Sequence, residues 1–226
     1  MAKIKKPKFP SSKRPLPSNA RERLLEAASA IMREEDVIDA PVREIADRAG
    51  VNSALVRYYF GSKDGLRLAV FERDAAASMA RHAVIMKSKL APVQKLSALI
   101  REVISYNSEF PSGQRLATSI IRDADPSHAV QLFDDIAGPL FRHVEEVLTE
   151  GVATGVFRPV DPRHLYFAIV GACGLIFSSR PALHLFFEEK IDCEALRDAH
   201  AEAVASIILD GIRKPRRPSP KRPRKK

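Results

Sequence analysis

An all-α fold is what this sequence predicts, and three observations carry the prediction. Apolar residues recur at spacings of three and four from residue 20 to residue 212, the period of a helix face. The alternation of a half-buried strand is absent. Glycines and prolines such as Gly50, Gly61, Pro41 and Pro162 stand at the joins between periodic stretches. With 226 residues, 45% of them apolar, the chain can bury a substantial core in one or two domains.

Each helix has its own signals. Asn19 followed by Glu22 resembles a capping box and opens a first helix to about Glu35, with Leu24, Leu25, Ala28, Ile31 and Met32 on one face. Pro41, at a first helical position, opens a short second helix with a stripe of Val42, Ile45, Ala46 and Ala49. Gly50 ends it, because glycine enters the left-handed region without steric penalty. Asn52 caps a third helix, Ser53 to about Phe60, with Val56, Tyr59 and Phe60 inward, and Gly61 and Ser62 break it. A long fourth helix is predicted from Lys63 towards Leu90 along Leu66, Val70, Ala77 and Ala80, followed by helices near 92–109, 114–123, 127–154, 162–179 and 193–212. Asp161 with Pro162, and Asp192, are N-terminal signals for the last two. Pro139 should kink or divide the helix that contains it, since proline lacks the backbone donor and clashes with the preceding turn.

The net charge of +9 is unevenly placed. Residues 1–18 hold six Lys or Arg and residues 213–226 hold nine, with no Asp or Glu in either, which leaves 22 basic against 28 acidic residues between them. The chain therefore reads as an acidic globule with two basic, Pro-rich, disordered tails that attract polyanions. Cys173 and Cys193 form no disulfide framework or metal motif, and both are read as reduced. The N-terminus lacks the apolar stretch of a signal peptide. Leu165 to Phe177, the longest apolar run, is thirteen residues, short of the roughly 20 needed to cross a bilayer as a helix. A cytoplasmic protein without a membrane partner is expected.

Three short helices in about 45 residues, the second and third joined by Ala49-Gly50-Val51, match the helix-turn-helix plan, whose second member enters the DNA major groove. Gly50 permits the reversal and Val51 can plug the angle between the helices. The same spacing occurs in plain packing units. The letters add to it: PVREIADRAGVNSALVRYYFGSKDGL resembles the DNA-binding domain of the TetR family of bacterial regulators, whose pattern is roughly IAxxAGVSxGTLYxYFxSKxxL. Ile45, Ala46, Ala49, Gly50, Val51, Tyr59, Phe60, Ser62, Lys63 and Leu66 fall on that pattern, and the resemblance covers about residues 19–70. Asn52, Ala54, Leu55 and Arg57 replace the family's usual Ser, Gly, Thr and Tyr, so target preference does not carry over. The resemblance implies an N-terminal three-helix DNA-binding domain (19–68) and a C-terminal helical domain for ligand binding and dimerisation (69–212), about nine helices in all, between tails 1–18 and 213–226.

Arg57 is the expected base reader, because its planar fork matches guanine O6 and N7 or a phosphate. Asn52 lies at the start of the helix, where Ser53 and Ala54 are small enough for close backbone approach. Leu55 suits a thymine methyl and Tyr58 a phosphate. Arg43 and Lys63 match family positions that hold the sugar-phosphate backbone, and the N-terminus of the fourth helix adds free amide donors. The bland alternatives are surface ion pairs for Arg43, Arg48 and Arg57 and simple packing for Tyr58. Tyr59 and Phe60 read as core anchors.

One such head reads few base pairs, so specific readers dimerise with recognition helices about 34 Å apart or a multiple of it. The expected homodimer interface is Ala168, Gly171, Ala172, Leu175 and Ser178 with Leu196, Ala199, Ala203, Ile207 and Gly211, four helices in a bundle as in the TetR family; intramolecular packing of the same strips is the alternative. The resemblance also implies a small-molecule inducer held between about residues 90 and 180. Tyr106, Asn107, Arg122, His143, His164 and Tyr166 are the candidate polar residues there. The six histidines show no metal spacing, so neither metal nor other cofactor is expected. No GxSxG, P-loop, Rossmann fingerprint or paired-carboxylate motif points to an enzyme.

The sequence thus predicts a sequence-specific, ligand-released repressor on a palindromic double-stranded DNA operator. The alternatives are a sequence-indifferent architectural DNA-binding protein that relies on its tails, and an all-helical carrier or enzyme. Specific reading favours the true site by roughly 10³ or more over random DNA, which separates the first from the second. Trimming both basic tails should weaken binding to all DNA sequences alike and flatten the slope of log affinity against log salt; an unchanged slope would refute an electrostatic grip.

Overall fold

The computed structural model describes residues 19–179, 183, 185 and 193–215. The tail 1–18, the tail beyond Pro215, His184, the expected start signal Asp192 and the side chain of Cys193 lie outside the described residues. Among those described there are ten α-helices: α1 (Ala20–Glu34), α2 (Val42–Ala49), α3 (Ala54–Phe60), α4 (Lys63–Lys87), α5 (Pro92–Glu109), α6 (Gly113–Asp123), α7 (Pro126–Leu132), α8 (Gly138–Ala153), α9 (Pro162–Ser178) and α10 (Cys193–Ile212). No strand occurs among the described residues. An antiparallel bridge pairs Phe157 with Arg213, and the Lys214 amide donates to the Val156 carbonyl at 3.0 Å. The first two residues of the expected C-terminal tail are therefore held by the body.

Several local expectations are corrected. The capping box at α1 does not form: Asn19 makes no side-chain cap bond, and Glu22 turns to Arg73 at 3.5 Å instead of back to the helix end. Pro41 is the extended N-cap of α2 (φ −60°, ψ 131°), one position before the first helical residue, and the missing N–H costs nothing there. In α4 the inward line runs through Leu66, Val70, Phe71, Ala75, Ser78 and His82, while Ala77 and Ala80 are exposed. Alanines populate both faces of this stretch, so their spacing does not reveal the buried stripe. Pro139 does divide its helix. Ahead of it a π-helical turn, Phe133–Ala137, joins α7 to α8, and the Gly138 amide reaches back to the Phe133 carbonyl, five residues earlier. The extra residue in the turn accommodates a proline that cannot donate.

Two hydrophobic clusters form the interior. The first joins α1, α2 and α3 to the first half of α4 and continues through Phe110, Leu116, Ile120 and Leu132. The second is built by α5, α8, α9 and α10, with Phe157 and Phe177 fully buried in it. The helix-turn-helix head thus shares its core with α6 and α7, and no gap separates it from the body near residue 68.

Polar groups bind the same seam. Arg67, only 8% exposed, donates to the Ile38 carbonyl (3.1 Å), to Asp64 (2.9 Å) and to the Ser119 hydroxyl (2.7 Å), tying α4 to the α1–α2 loop and to α6. Asp74 accepts from the buried Ser29 (2.7 Å), from Arg33 (3.1 Å) and from Arg73 (2.8 Å), fixing α1 on α4. Arg67→Ala leaves a carbonyl and a hydroxyl short of partners in a half-buried seam. It should lower stability to urea by about 1–3 kcal/mol. Arg101→Ala, at an exposed pair with Glu202, should cost less than about 1 kcal/mol in the same measurement.

Candidate DNA interface and ligand cavity

The turn between α2 and α3 is made by backbone bonds. Gly50 adopts φ 62°, its amide reaches the Asp47 carbonyl at 3.0 Å, and the Val51 amide reaches Ala46 at 3.0 Å. These bonds satisfy the last carbonyls of α2. Val51 is half-buried against the first cluster, in the angle that the turn leaves. At the start of α3 the Asn52 side chain accepts from the Ala54 amide at 2.8 Å, so Asn52 caps the helix as its position suggested. Val56 is buried, and Tyr59 and Phe60 pack half-buried against the same core.

That packing fixes which face of α3 is open. Asn52, Ser53, Ala54, Arg57 and Tyr58 are all exposed, and Tyr58 retains 67% of its surface. Leu55 is half-buried against the first cluster, with the rest of its side chain open beside Ala54. The basic side chains of this region differ in their commitments. Arg48 grips Glu34 with two bonds of 2.5 and 2.7 Å, Lys63 pairs with Asp39 at 2.7 Å, and Arg43 lies 3.9 Å from Asp47 but is almost wholly exposed. Among the described residues Arg57 has no carboxylate partner. Beside it, Val42, Arg43, Asp47, Val51, Asn52 and Ser53 border a shallow hollow between α2 and the start of α3. The open face of α3 therefore carries a free guanidinium, a phenol and small polar groups over a rigid base.

A second site lies in the body. Helices α4, α5, α6 and α9, together with the α7–α8 junction, line a partly open cavity of about 350 Å³. Tyr106, Asn107 and Tyr166 line it, as do Phe71, Ser78, Met79, His82, Gln114, Thr118 and Phe167, which the sequence reading missed. The available signal was the α4 stripe Phe71, Ala75, Ser78, His82, where two polar residues continue an otherwise apolar face. Arg122 is not in this cavity. It is exposed on α6 and borders an open cleft with Arg115, on the far side of Gln114 and Thr118. His143 does not line the cavity either; its ring stands edge-on behind His82, with centroids 6.2 Å apart. His164 is exposed.

His82 is 2% exposed, and neither ring nitrogen has a hydrogen-bond partner among the described residues. Burial, aided by His143 and Arg81, lowers its pKa to about 4, so the ring is neutral at pH 7. The Tyr106 hydroxyl is likewise sealed without a partner, and burial raises its pKa well above the usual phenol value. Asn107 donates to the Val103 carbonyl at 2.7 Å.

The expected dimer strips are open in the protomer. Ala168, Gly171, Ala172 and Leu175 of α9 and Ala199, Ala203, Ile207 and Gly211 of α10 are exposed, with Ser178 intermediate; a side chain added at Gly171 or Gly211 would meet nothing within 4 Å. Leu196 is the exception, since it packs half-buried against the second cluster of its own chain. No described helix is long and apolar enough to cross a membrane.

Residues 24–70 match the family model for bacterial regulatory proteins of the tetR family, and residues 89–217 match the tetracyclin repressor-like C-terminal domain. The chain is 26% identical to the HTH-type transcriptional regulator RutR of Escherichia coli over 175 residues, covering 76% of this chain and 80% of that one. It is 24% identical to the HTH-type transcriptional repressor NicS of Pseudomonas putida over 196 residues, 86% and 92% of the two chains. A solved TetR/AcrR-family regulator from Thermobifida fusca shares the fold, with a TM-score of 0.64 at 20% identity over 87% of this chain and all of that one.

The buried neutral histidine yields a pH test. A folded-state pKa of about 4 against an unfolded value near 6.5 means that the unfolded chain binds the extra proton between those limits, so stability falls as pH drops from 6.5 towards 4. Urea unfolding at pH 7 and pH 4.5 should show a loss larger by on the order of 2 kcal/mol in the native chain than in His82→Leu. Equal losses would mean that His82 is not held neutral.

Proposed function

Because the chain belongs to the TetR family of bacterial regulatory proteins, we propose that it represses transcription as a homodimer on a palindromic operator and is released when a small molecule occupies the cavity. It is a DNA-binding transcriptional regulator, and the observation that carries the finer reading is the unpaired, exposed Arg57 on the open face of α3. In this reading α3 lies in the major groove with Arg57 reading a guanine edge. Tyr58 meets a phosphate, and Ser53 and Ala54 let the helix start approach the backbone. Arg43 and Lys63 set register, with Lys63 exchanging its exposed Asp39 partner for a phosphate oxygen.

Dimerisation through the open strips of α9 and α10 places two heads on successive grooves. The small residues there permit close helix approach, and the large exposed apolar groups Phe167, Leu175 and Ile207, each more than 60% exposed, gain cover.

Induction is supported by how α6 is wired. Gln114, Ala117, Thr118 and Ile121 of α6 line the cavity. Two turns of the same helix hold the α1–α2 loop: Arg115 grips Asp36 through its backbone carbonyl (2.8 Å) and its carboxylate, and Ser119 holds Arg67, which holds Ile38. Asp36 has φ 51°, a left-handed conformation that Asp adopts more readily than most non-glycine residues. A ligand that favours a displaced α6 would favour displaced heads, provided that its affinity differs between the two arrangements.

Selection of DNA fragments from a random pool, repeated with Arg57→Ala, tests the reading. The substitution should cost about 1–3 kcal/mol at one base position of each half-site. A uniform loss across sequences would make Arg57 a phosphate contact, and no enrichment with the native chain would favour the architectural alternative.

A further inference from the structure

The two basic ends of the chain leave the molecule at opposite poles. Helix α1 begins at Ala20 beside the head, where the Arg21 guanidinium lies 5.4 Å from the centre of the Phe60 ring at the end of α3. The other end is fixed far away. Helix α4 carries the chain from the head at Lys63 to Lys87, and its 25 residues at 1.5 Å each span about 37 Å. At that far end Lys95 of α5 meets Glu150 of α8 at 2.9 Å, and the Arg158 amide donates to the Ile212 carbonyl of α10 at 2.8 Å. Val93, Gln94 and Arg213 border one groove there. Lys214, whose amide is bonded to the Val156 carbonyl, marks where the C-terminal tail departs.

We infer that this pole is a second, sequence-indifferent site for double-stranded DNA, which lets a protein seated on its operator hold another duplex segment. The inference rests on the reading of α3 as the operator-reading helix.

Charge sets the pole apart from the rest of the body. Its segments 87–95, 150–163 and 210–214 carry seven Lys or Arg against three Asp or Glu, whereas the chain between the two tails is acidic. Each of the three carboxylates is already paired: Glu150 with Lys95, Asp161 with Arg163 and Asp210 with Arg213. Lys87, Lys89, Arg158 and Lys214 are exposed and have no carboxylate partner among the described residues. Arg158 uses its Nε–H on the Gly211 carbonyl at 2.8 Å, which leaves its charge unopposed. Seven more Lys or Arg follow Pro215 with no acidic residue among them. Such a surface binds duplex phosphates by releasing their counterions, whatever the sequence.

Reach decides which duplex the pole can hold. Eleven residues follow Pro215, and an extended chain covers at most about 3.3–3.6 Å per residue. At that limit of about 40 Å only the last residues draw level with the start of α4, while Arg216 and Arg217 stay within about 10 Å of the pole. The duplex under α3 is therefore out of reach for most of these charges. Both heads of the proposed dimer face one duplex, so both poles face away from it. The α10 strip of that interface ends at the exposed Gly211, which sets the two poles side by side. An anionic membrane is the poorer partner, because residues 213–226 contain no apolar side chain except proline and stable attachment takes an apolar anchor besides charge.

A sandwich assay tests the site. The selected operator duplex is immobilised, saturated with the full chain, washed, and exposed to a labelled random duplex of about 30 base pairs at about 50 mM salt. The full chain should capture the second duplex and release it at about 300 mM salt. A chain ending at Pro215 should capture at least tenfold less, and Lys87→Glu with Lys89→Glu in the full chain severalfold less, both with operator affinity within twofold of native. No capture by the full chain, or undiminished capture by the shortened one, would overturn the proposal. So would a loss of operator affinity in the shortened chain as large as that from removing residues 1–18, since the tail would then grip the operator itself. Phosphatidylserine vesicles that outcompete the random duplex at equal anionic charge would overturn it in favour of a membrane. Anisotropy of the random duplex with the Arg57→Ala chain reads the pole without the operator: a tenfold loss on ending that chain at Pro215 supports the site even where the repressor reading fails.

Discussion

The buried guanidinium of Arg67 is the constraint around which this molecule is organised. A charge at 8% exposure is tolerable only when its donors are used, and its partners come from three places: the α1–α2 loop, the first turn of α4, and α6. Neither the α1–α2 loop nor α6 can shift relative to α4 without stranding either the charge or an oxygen that faces it. Around it the first hydrophobic cluster runs without interruption from Leu24 and Val56 to Leu116 and Leu132. Head and α6 consequently move as one packed unit or pay in unpaired polar groups. A rigid connection of this kind can transmit a displacement, whereas a flexible linker would absorb it.

The fold was legible where the physics is local. Gly50 ends α2 because the left-handed turn requires it, Asn52 caps α3, Ser62 caps α4 through the Gly65 amide at 2.9 Å, and Asp161 caps α9 through the Arg163 amide at 2.8 Å. The open face of α3 could be read for the same reason: once Val56 faces the core, the helical period puts Arg57 and Tyr58 on other sides. At α4 such reasoning failed. Ala75, Ala76, Ala77 and Ala80 give no contrast between faces, and the inward Ser78 and His82 look like surface residues until the cavity that they border is seen.

Long-range partners were the other illegible part. The spacing of Tyr106, Asn107 and Tyr166 did not separate them from Arg122 or His143, because cavity membership depends on how α5, α6 and α9 cross and not on any one helix. Arg122 and Thr118 lie four residues apart on α6, yet Thr118 also borders the cavity while Arg122 borders only the open cleft. The α9 and α10 strips were easier, since a run of small residues at helical spacing is informative wherever a helix must approach another closely. Leu196 escaped that logic: it is large, and its own second cluster offers more cover than an outer face does.

Helix α9 connects the two proposed uses of the body. Phe167 and Gly171 border the cavity, yet both are exposed on the face assigned to the partner protomer. A dimer built on that face would seat the second chain against residues that also touch the ligand. Occupancy of the cavity and the fit of the two protomers would then depend on the same few side chains, as α6 and the DNA-reading heads depend on Arg67. Ligand binding in such an arrangement acts at both ends of one rigid path, on the angle between protomers through α9 and on the seating of each head through α6. The two effects reinforce each other only if the arrangement that relieves α9 also displaces α6. A close approach of α6 to α9 makes that coupling direct: the Gln114 amide donates to the Val170 carbonyl at 3.2 Å, one residue from Gly171.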